Sequence, residues 1–265
     1  MSAGNSPAIR VTLDDTNGPG RAAQIVIDNE PKLNSLTSDM LIRLADAARS
    51  LAGDSDLRVV ILTGAGNRAF SGGADLSELM GFTADTSVAY ATKVHEACAA
   101  LRDLPVPVIA RIRGACYGAA LSLALACDLR MASTEARFAM PGGKLGMPAV
   151  SEAALLPRLI GWGRTADILL AGDVIDATTA HAWGLVRCAV SPDGLDAEVA
   201  RLALLIRGYG PNAIRAQKSM MRQWESRLLD DAIAAGNPIL RDAAMTGEAE
   251  RMLAPLLAAS RGRDR

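Results

Sequence analysis

The sequence predicts a mixed α/β fold, and three observations support this prediction. Short runs of aliphatic and β-branched residues alternate with stretches of helical periodicity up to about residue 190, which is typical of a layered α/β core. The predicted strand at residues 58–63 contains a continuous apolar run, as is typical of a strand when both faces of its sheet are covered. Beyond residue 190 only helical periodicity continues. We therefore expect an α/β core over residues 1–190 and a helical region over residues 191–265.

The expected strands and helices follow one another in a regular order. Strands are predicted at residues 8–13, 22–27, 58–63 and 106–112, with a glycine-containing turn between the first two. Helices of the core are predicted at residues 37–51, 83–101 and 118–127. The C-terminal helices are predicted at residues 196–206, 212–229, 230–235 and 248–258. Such a helical appendage serves either as an oligomerisation surface or as a cover for the core, and periodicity alone leaves both roles open.

Charge and composition exclude several classes of function. The 28 basic and 29 acidic side chains give a net charge of −1, which provides no electrostatic basis for binding nucleic acid or an anionic membrane. Aromatic residues make up only 3% of the chain, so surfaces for stacking bases are scarce. The longest uncharged apolar stretch, residues 114–127, is too short to span a bilayer. The N-terminus lacks the features of an export signal, and we therefore expect a cytoplasmic protein.

The potential metal ligands are few and scattered. The four cysteines and two histidines form no CxxC or HExxH motif, so no metal site is expected. The cysteines are interpreted as reduced thiols. His95 and His181 lie in predicted helices and are interpreted as structural.

Two segments rich in small residues each follow a predicted strand and open a predicted helix. They are residues 69–76 and 113–122. Backbone N–H groups at such a transition lack helical partners and lie at the positive end of the helix dipole. Two of them converging on one point would polarise a carbonyl and stabilise an oxyanion or enolate. The same glycines would also serve tight turns or close helix packing, and neither segment matches a phosphate-binding loop.

Further motifs occur with these two segments in a fixed order along the chain. They are found at residues 31–36, 59–64, 70–76, 105–110, 114–130, 156–161 and 182–186. Through them the chain resembles the crotonase family (the enoyl-CoA hydratase/isomerase superfamily) over nearly its whole length. The resemblance implies a spiral of ββα units whose C-terminal helices pack in a homotrimer or hexamer. It also implies an acyl-CoA or enoyl-CoA thioester as the partner, with coenzyme A as part of the substrate and no separate cofactor.

The resemblance also implies a set of site residues. By position, the N–H groups of Ala74 and Ala119 would hold the thioester oxygen between them. Tyr117 lies beside the second of these donors, where it can donate to a bound acyl group. The path of the coenzyme A nucleotide and pantetheine would be lined by Lys32, Ser71, Gly73, Asp75 and Leu76.

Two positions depart from the pattern of the family. Hydratases of this family carry one glutamate in the helix after the second donor and another after a Phe-x-x-Pro motif. Here Ser122 and Gly142 occupy these positions. Hydration of an enoyl thioester needs a base for the water and an acid for the α-carbon, and neither residue supplies one by the usual route. Both are therefore expected to contact the substrate without replacing the two glutamates.

Glu152 is the leading candidate for a replacement acid. Some members of the family place an acid near the start of the corresponding helix. An acid in the first turn of a helix is equally favoured by the helix dipole, with Ser151 as a cap, so a structural role remains open. The sequence thus leaves three functions: enoyl-CoA hydratase/isomerase-like chemistry with non-standard acid/base groups, acyl-CoA binding without turnover, and an inactive subunit of an assembly.

Overall fold

The computed structural model describes residues 6–263, and the side chains up to residue 255. Residues 1–5 and 264–265 lie outside this part of the chain, so the outer ends of both predicted regions and part of the N-terminus are not described. Over the described residues the strands are β1 (Ala8–Asp14), β2 (Arg21–Asp28), β3 (Leu57–Gly64), β4 (Ala69–Ser71), β5 (Val108–Ile112), β6 (Ala115–Tyr117), β7 (Leu129–Ser133), β8 (Arg137–Ala139), β9 (Ile175–Asp176) and β10 (Cys188–Val190).

The helices follow the same spiral path. They are α1 (Ser38–Ala52), α2 (Leu76–Leu79), α3 (Ala84–Asp103), α4 (Ala119–Ala126), α5 (Leu156–Ile160), α6 (Trp162–Ala166), α7 (Ala177–Ala182), α8 (Leu195–Arg207), α9 (Pro211–Trp224), α10 (Leu229–Ala234), α11 (Gly236–Met245) and α12 (Glu248–Arg263). Short 3-10 turns at Pro141–Leu145 and Ser151–Leu155 connect β8 to α5. None of the helices in the described chain is long and apolar enough to cross a membrane.

The strands form two sheets, and the chain passes between the two sheets as it winds through the spiral. The larger sheet has the strand order β1-β2-β3-β5-β7-β10, antiparallel only between β1 and β2. The smaller sheet has the order β4-β6-β8-β9. Thus β3 and β4 are followed by α2 and α3, and β5 and β6 by α4. This arrangement confirms the predicted α/β fold and the spiral of ββα units.

The main core lies between the larger sheet and the helices α1, α3 and α4. Helix α1 shows why this segment folds as a helix. Its buried side chains include Leu41, Leu44 and Leu51 at helical spacing, and Thr37 accepts a hydrogen bond from the N–H of Met40 at 3.2 Å as the N-terminal cap. Because the core is aliphatic, its stability comes from many small buried groups and few aromatic rings.

Helix α8 covers the opposite face of the larger sheet. Val199, Leu202 and Ile206 of this helix pack in one buried cluster with Val59 and Met131 of the sheet. The predicted boundary at residue 190 therefore falls between the last strand and a helix that packs on the sheet. The division into two regions stays a prediction.

Some parts of the chain differ from the sequence expectations. The strands of the smaller sheet were not expected, because they have only two or three residues and show no periodicity. The helix predicted at residues 212–229 ends at Trp224, and α10 begins only at Leu229. Helix α11 was also not expected. It contains Pro238 in its first turn, where a missing N–H carries no penalty.

Candidate active site

A cavity of about 380 Å³ opens between α3, the two glycine-containing segments and residues 140–151. Its walls are mostly apolar. Helix α3 contributes Tyr90, Ala91 and Val94, and the opposite wall contributes Met140 and Met147. A concave, mostly apolar site of this size is the usual form of a small-molecule binding pocket.

The two segments of small residues meet at one end of this cavity. Gly73 has φ of +94°, and a Cβ placed there would lie 2.5 Å from the carbonyl oxygen of Tyr117 and 3.7 Å from the nitrogen of Ala119. Since no Cβ tolerates such a contact with backbone, this position requires glycine. The close approach brings Ala74 and Ala119 to the same wall of the cavity.

The backbone pairing around Ala74 leaves its N–H group unused. Leu36 donates to the carbonyl of Gly73 at 2.8 Å and accepts from the N–H of Asp75 at 3.0 Å, so the peptide N–H between them faces away from this bridge. Ala119 is the first residue of α4, where an N–H has no helical partner. Within residues 6–263, neither N–H donates a hydrogen bond. Two such donors beside an apolar cavity are able to stabilise negative charge on a carbonyl oxygen.

Most of the predicted site residues line the cavity. They are Gly73, Ala74, Leu76, Tyr117, Ala119, Ser122 and Gly142. Lys32, Ser71 and Asp75 do not line it. Ser71 is fully buried, and its hydroxyl oxygen accepts a hydrogen bond from the N–H of Gly73 at 3.1 Å. It therefore shapes the turn that carries the donor at Ala74.

Asp75 lies outside the cavity lining and fixes the first segment of small residues in place through its hydrogen bonds. Its carboxylate accepts hydrogen bonds from Lys32 Nζ at 3.0 Å and Ser35 Oγ at 2.9 Å, and it caps α2 by accepting the N–H of Ser77 at 2.9 Å. Burial acts to raise the pKa of Asp75, but the hydrogen bonds from Ser77, Lys32 and Ser35 outweigh it and hold the pKa well below its usual range. Asp75 is thus an ionised anchor for the first segment.

Ser122 and Gly142, the two positions expected to depart from the family pattern, both lie in the cavity wall. Ser122 is buried on α4, and its hydroxyl makes no hydrogen bond in the described chain. A Cβ at Gly142 would lie 2.4 Å from the carbonyl oxygen of Met147 and 3.1 Å from the nitrogen of Ala149. No side chain fits at position 142 unless the backbone of residues 147–149 moves.

Ionisable carboxylates and bases are missing from the described lining of the cavity. Its polar side chains are those of Ser87, Tyr90, Tyr117, Ser122 and Ser151. The Tyr90 hydroxyl donates to the carbonyl of Leu36 at 2.9 Å, and burial, aided by the charges of Glu78 and Asp75, raises its pKa. Among the residues that the structure describes, no three His, Cys, Asp or Glu side chains come together as a possible metal site.

Glu152 does not point into the cavity, contrary to the expectation of a carboxylate aimed at an acyl group. It lies in the 3-10 turn after Ser151, which has φ of +56° and lines the cavity. This left-handed residue turns the next side chain toward α3, where Glu152 Oε1 lies 2.9 Å from Nδ1 of His95. The catalytic role of Glu152 stays a prediction that this geometry does not support.

Sequence reasoning missed three contributions to the site. His95 had no assigned partner, and the role of Leu36 in orienting the first donor was not foreseen. The face of α3 that lines the cavity was also not identified. Its signal is the helical spacing of Ser87, Ala91 and Val94, which is indistinguishable in the sequence from a face that packs on the core.

The comparisons with known proteins agree with the fold. The family model described as enoyl-CoA hydratase/isomerase matches residues 19–251. A crotonyl-CoA hydratase of Syntrophomonas wolfei is 31% identical over 208 residues, which cover 78% of this chain and 80% of the relative. A short-chain-enoyl-CoA hydratase of Clostridium acetobutylicum is 31% identical over 216 residues, covering 81% and 83%.

Solved structures show the same similarity. An enoyl-CoA hydratase of Mycobacterium smegmatis superimposes with a TM-score of 0.90 at 25% identity, over 96% of this chain and 97% of that one. An enoyl-CoA hydratase of Bacillus anthracis superimposes with a TM-score of 0.80 at 30% identity, over 89% of each chain. The family match spans most of the sequence, and the chain therefore belongs to the enoyl-CoA hydratase/isomerase family.

Proposed function

We propose that this protein binds an acyl-CoA or enoyl-CoA thioester with the carbonyl oxygen between the N–H groups of Ala74 and Ala119. The observation that carries the proposal is that Ala74 and Ala119, whose N–H groups make no hydrogen bond in the described chain, both line one apolar cavity. The relatives named as crotonyl-CoA and short-chain-enoyl-CoA hydratases support the thioester as the substrate class. Coenzyme A enters as part of the substrate, and no separate cofactor is proposed.

The two donors would act on the charge that develops during reaction. When a thioester forms an enolate, negative charge moves to its carbonyl oxygen, and fixed N–H groups stabilise this state more than the neutral substrate. The apolar walls strengthen this effect, because electrostatic interactions increase as water is excluded. We infer chemistry of the enoyl-CoA hydratase/isomerase type, in which this oxygen carries charge.

Proton transfer would use non-standard groups. The hydroxyls of Tyr117 and Ser122 line the cavity, whereas the carboxylates of Asp75 and Glu152 do not. Hydroxyl groups are poor bases at neutral pH, and positioned acids and bases each contribute about 10²–10⁴-fold to a rate. We therefore expect hydration of crotonyl-CoA to be slow.

A second candidate function is binding of acyl-CoA without turnover. The observation that favours it is the lack of carboxylates and other bases among the described cavity walls. A further alternative is an inactive subunit of an assembly. These possibilities differ in whether the pure protein binds a thioester and whether it converts one.

The decisive experiment removes one backbone donor. Ala119→Pro deletes the N–H at the first position of α4, where proline is compatible with a helix. Ala84→Pro is the matched control, because Ala84 is the exposed first residue of α3 and does not line the cavity. We expect Ala119→Pro to lower turnover of an enoyl-CoA thioester by about 10²–10³-fold and Ala84→Pro to have no effect.

The measurements are product analysis with a panel of enoyl-CoA thioesters and calorimetric binding of butyryl-CoA. Turnover that depends on the N–H of Ala119 supports the enzymatic proposal. Saturable binding without turnover favours the second candidate, and absence of both favours the inactive subunit. Full activity of Ala119→Pro, with its fold intact by circular dichroism, would contradict the proposed role of this donor.

We propose in addition that the protein is a cytoplasmic homotrimer or hexamer, with no nucleic-acid or membrane partner. The helices after α9 support the assembly, since they leave large apolar side chains exposed, namely those of Leu229, Ile233, Leu240 and Met245. Several exposed large apolar side chains on successive helices are typical of an interface. Closed symmetry would bury it without leaving open ends.

A further inference from the structure

Glu152 and His95 form a pair that the proposed chemistry does not use. The side chain of Glu152 is 2% exposed and that of His95 is 58% exposed, and Oε1 lies 2.9 Å from Nδ1. The second carboxylate oxygen, Oε2, is buried and has no hydrogen-bond partner in the described chain. A buried carboxylate is costly unless it is paired, so the position of Glu152 depends strongly on its contact with His95.

Cys98, on the same helix as His95, faces the same carboxylate, but as a weak S–H donor. It is fully buried, and burial together with the negative charge of Glu152 raises the pKa of its thiol well above the ordinary value. Cys98 therefore stays a neutral thiol at physiological pH. Nδ1 of His95 donates to Oε1 in the tautomer that carries its proton on Nδ1.

The pair is directly connected to the wall of the cavity. Ala149, Val150 and Ser151 line the cavity immediately before Glu152. Ser151 has φ of +56°, a conformation that disfavours a residue with a side chain, and its hydroxyl donates to the carbonyl of Ala91 at 3.3 Å. Ala91 and His95 are one turn apart on α3, so this segment is attached to the helix at two neighbouring points.

We propose that His95 is a positioning residue that holds residues 149–151 against the cavity through its hydrogen bond to Glu152. The attachment keeps Ser151 in its strained conformation and keeps Val150 at the cavity wall. The identity of the ligand whose binding it affects, an acyl-CoA thioester, rests on the proposed function. The attachment of residues 149–151 to α3 does not rest on the proposed function, because it is a property of the free protein.

The test compares two substitutions of His95 with a matched histidine. His95→Ala removes the donor, and His95→Asn keeps an N–H near the position of Nδ1. His181→Ala is the control, since His181 lies on α7, outside the cavity lining, with its Nδ1 3.2 Å from the carbonyl of Val186. For each variant, hydrogen exchange gives the protection of amides 149–153 and calorimetry gives the Kd for butyryl-CoA, at a temperature where circular dichroism shows all variants folded.

We expect His95→Ala to reduce protection of these amides by about tenfold, the effect of losing one buried hydrogen bond. We expect a several-fold weaker Kd for butyryl-CoA, recovery of most of both effects in His95→Asn, and neither effect in His181→Ala. A residue that only stabilised the fold would lower the melting temperature without changing the affinity of the folded protein.

Two results would overturn the inference. Unchanged exchange at residues 149–153 in His95→Ala would show that the pair does not hold this segment. Changed exchange with an unchanged Kd would show that the segment does not position the ligand. If the wild type fails to bind butyryl-CoA, the proposed function is contradicted, and the exchange result then decides separately whether His95 holds the wall.

Discussion

Gly142 lies against the backbone of the next loop, with the carbonyl oxygen of Met147 only 2.4 Å from the place of a Cβ. Gly142→Ala is therefore expected to lower the free energy of unfolding by roughly 1–3 kcal/mol, as overpacking does in other proteins. Gly143→Ala is the matched control, because a Cβ there meets no atom within 4 Å. Its free energy of unfolding should stay within about 0.5 kcal/mol of the wild type, measured by urea unfolding.

The same contact limits what restored carboxylates could achieve. In Ser122→Glu combined with Gly142→Glu, the second glutamate needs space that the backbone of residues 147–149 occupies. Hydration of crotonyl-CoA should therefore stay slow in this double variant. A rate typical of an ordinary hydratase would show that the loop moves aside at little cost.

Asp75 predicts a defined dependence of stability on pH. Its pKa is lower in the folded than in the unfolded protein, so its contribution is complete above the unfolded value of about 4 and is lost as the pH falls below it. Asp75→Asn should lower the free energy of unfolding at pH 7 by roughly 1–3 kcal/mol. Urea unfolding at pH 7, 4 and 3 should show this difference shrinking, with Asp242→Asn, at an exposed position of α11, as the control variant.

Helices α9 and α12 are joined by one buried carboxylate. Glu248, the first residue of α12, accepts hydrogen bonds from the N–H groups of Asn212 at 3.0 Å and Ala213 at 2.8 Å, in the first turn of α9. A negative charge is favourable at this end of a helix, so the contact stabilises both helices at once.

Glu248→Ala should therefore loosen the C-terminal helices and leave the sheets unaffected. We expect a loss of roughly 1–3 kcal/mol in the local stability of α9, seen as faster hydrogen exchange over residues 212–224. Glu250→Ala, at an exposed site in the same turn of α12, is the control. Equal exchange in the two variants would mean that packing alone holds α9 in place.

Periodic helices and apolar strands were predictable, because their signal extends over many residues. Helix α1 was expected at 37–51 and is found at Ser38–Ala52. Strands of three residues, such as β4 and β6, are formed by pairing across turns of the spiral and have no such signal. In the candidate site, the small residues of segments 69–76 and 113–122 predicted that these two segments meet. The orientation of Glu152 was not predictable, because it follows from a left-handed serine that no local pattern requires.

The assembled protein is expected to sediment as a trimer or hexamer at micromolar concentration. The exposed side chains of α10 and α11 would be buried in such an assembly, and Leu240, which is 70% exposed in the single chain, is representative of them. Leu240→Glu should shift sedimentation velocity profiles toward the monomer, because it places a charge in an apolar contact. Met80→Glu, at the exposed residue that follows α2, should leave the assembly intact. A wild-type protein that sediments only as a monomer would contradict the prediction.

The pairing of Leu36 with Gly73 and Asp75 has a consequence for how such a site responds to sequence change. Because the two donors belong to the backbone, every amino acid except proline supplies them at positions 74 and 119. A mutational scan that removes only side chains would therefore not detect the N–H groups proposed to hold the ligand. In the proposed function, recognition of the thioester depends on backbone N–H groups, whereas proton transfer depends on side chains that substitution can change. Substitutions can therefore change the proton-transferring side chains while the backbone donors remain. Binding and reactivity can then change independently in proteins with this fold.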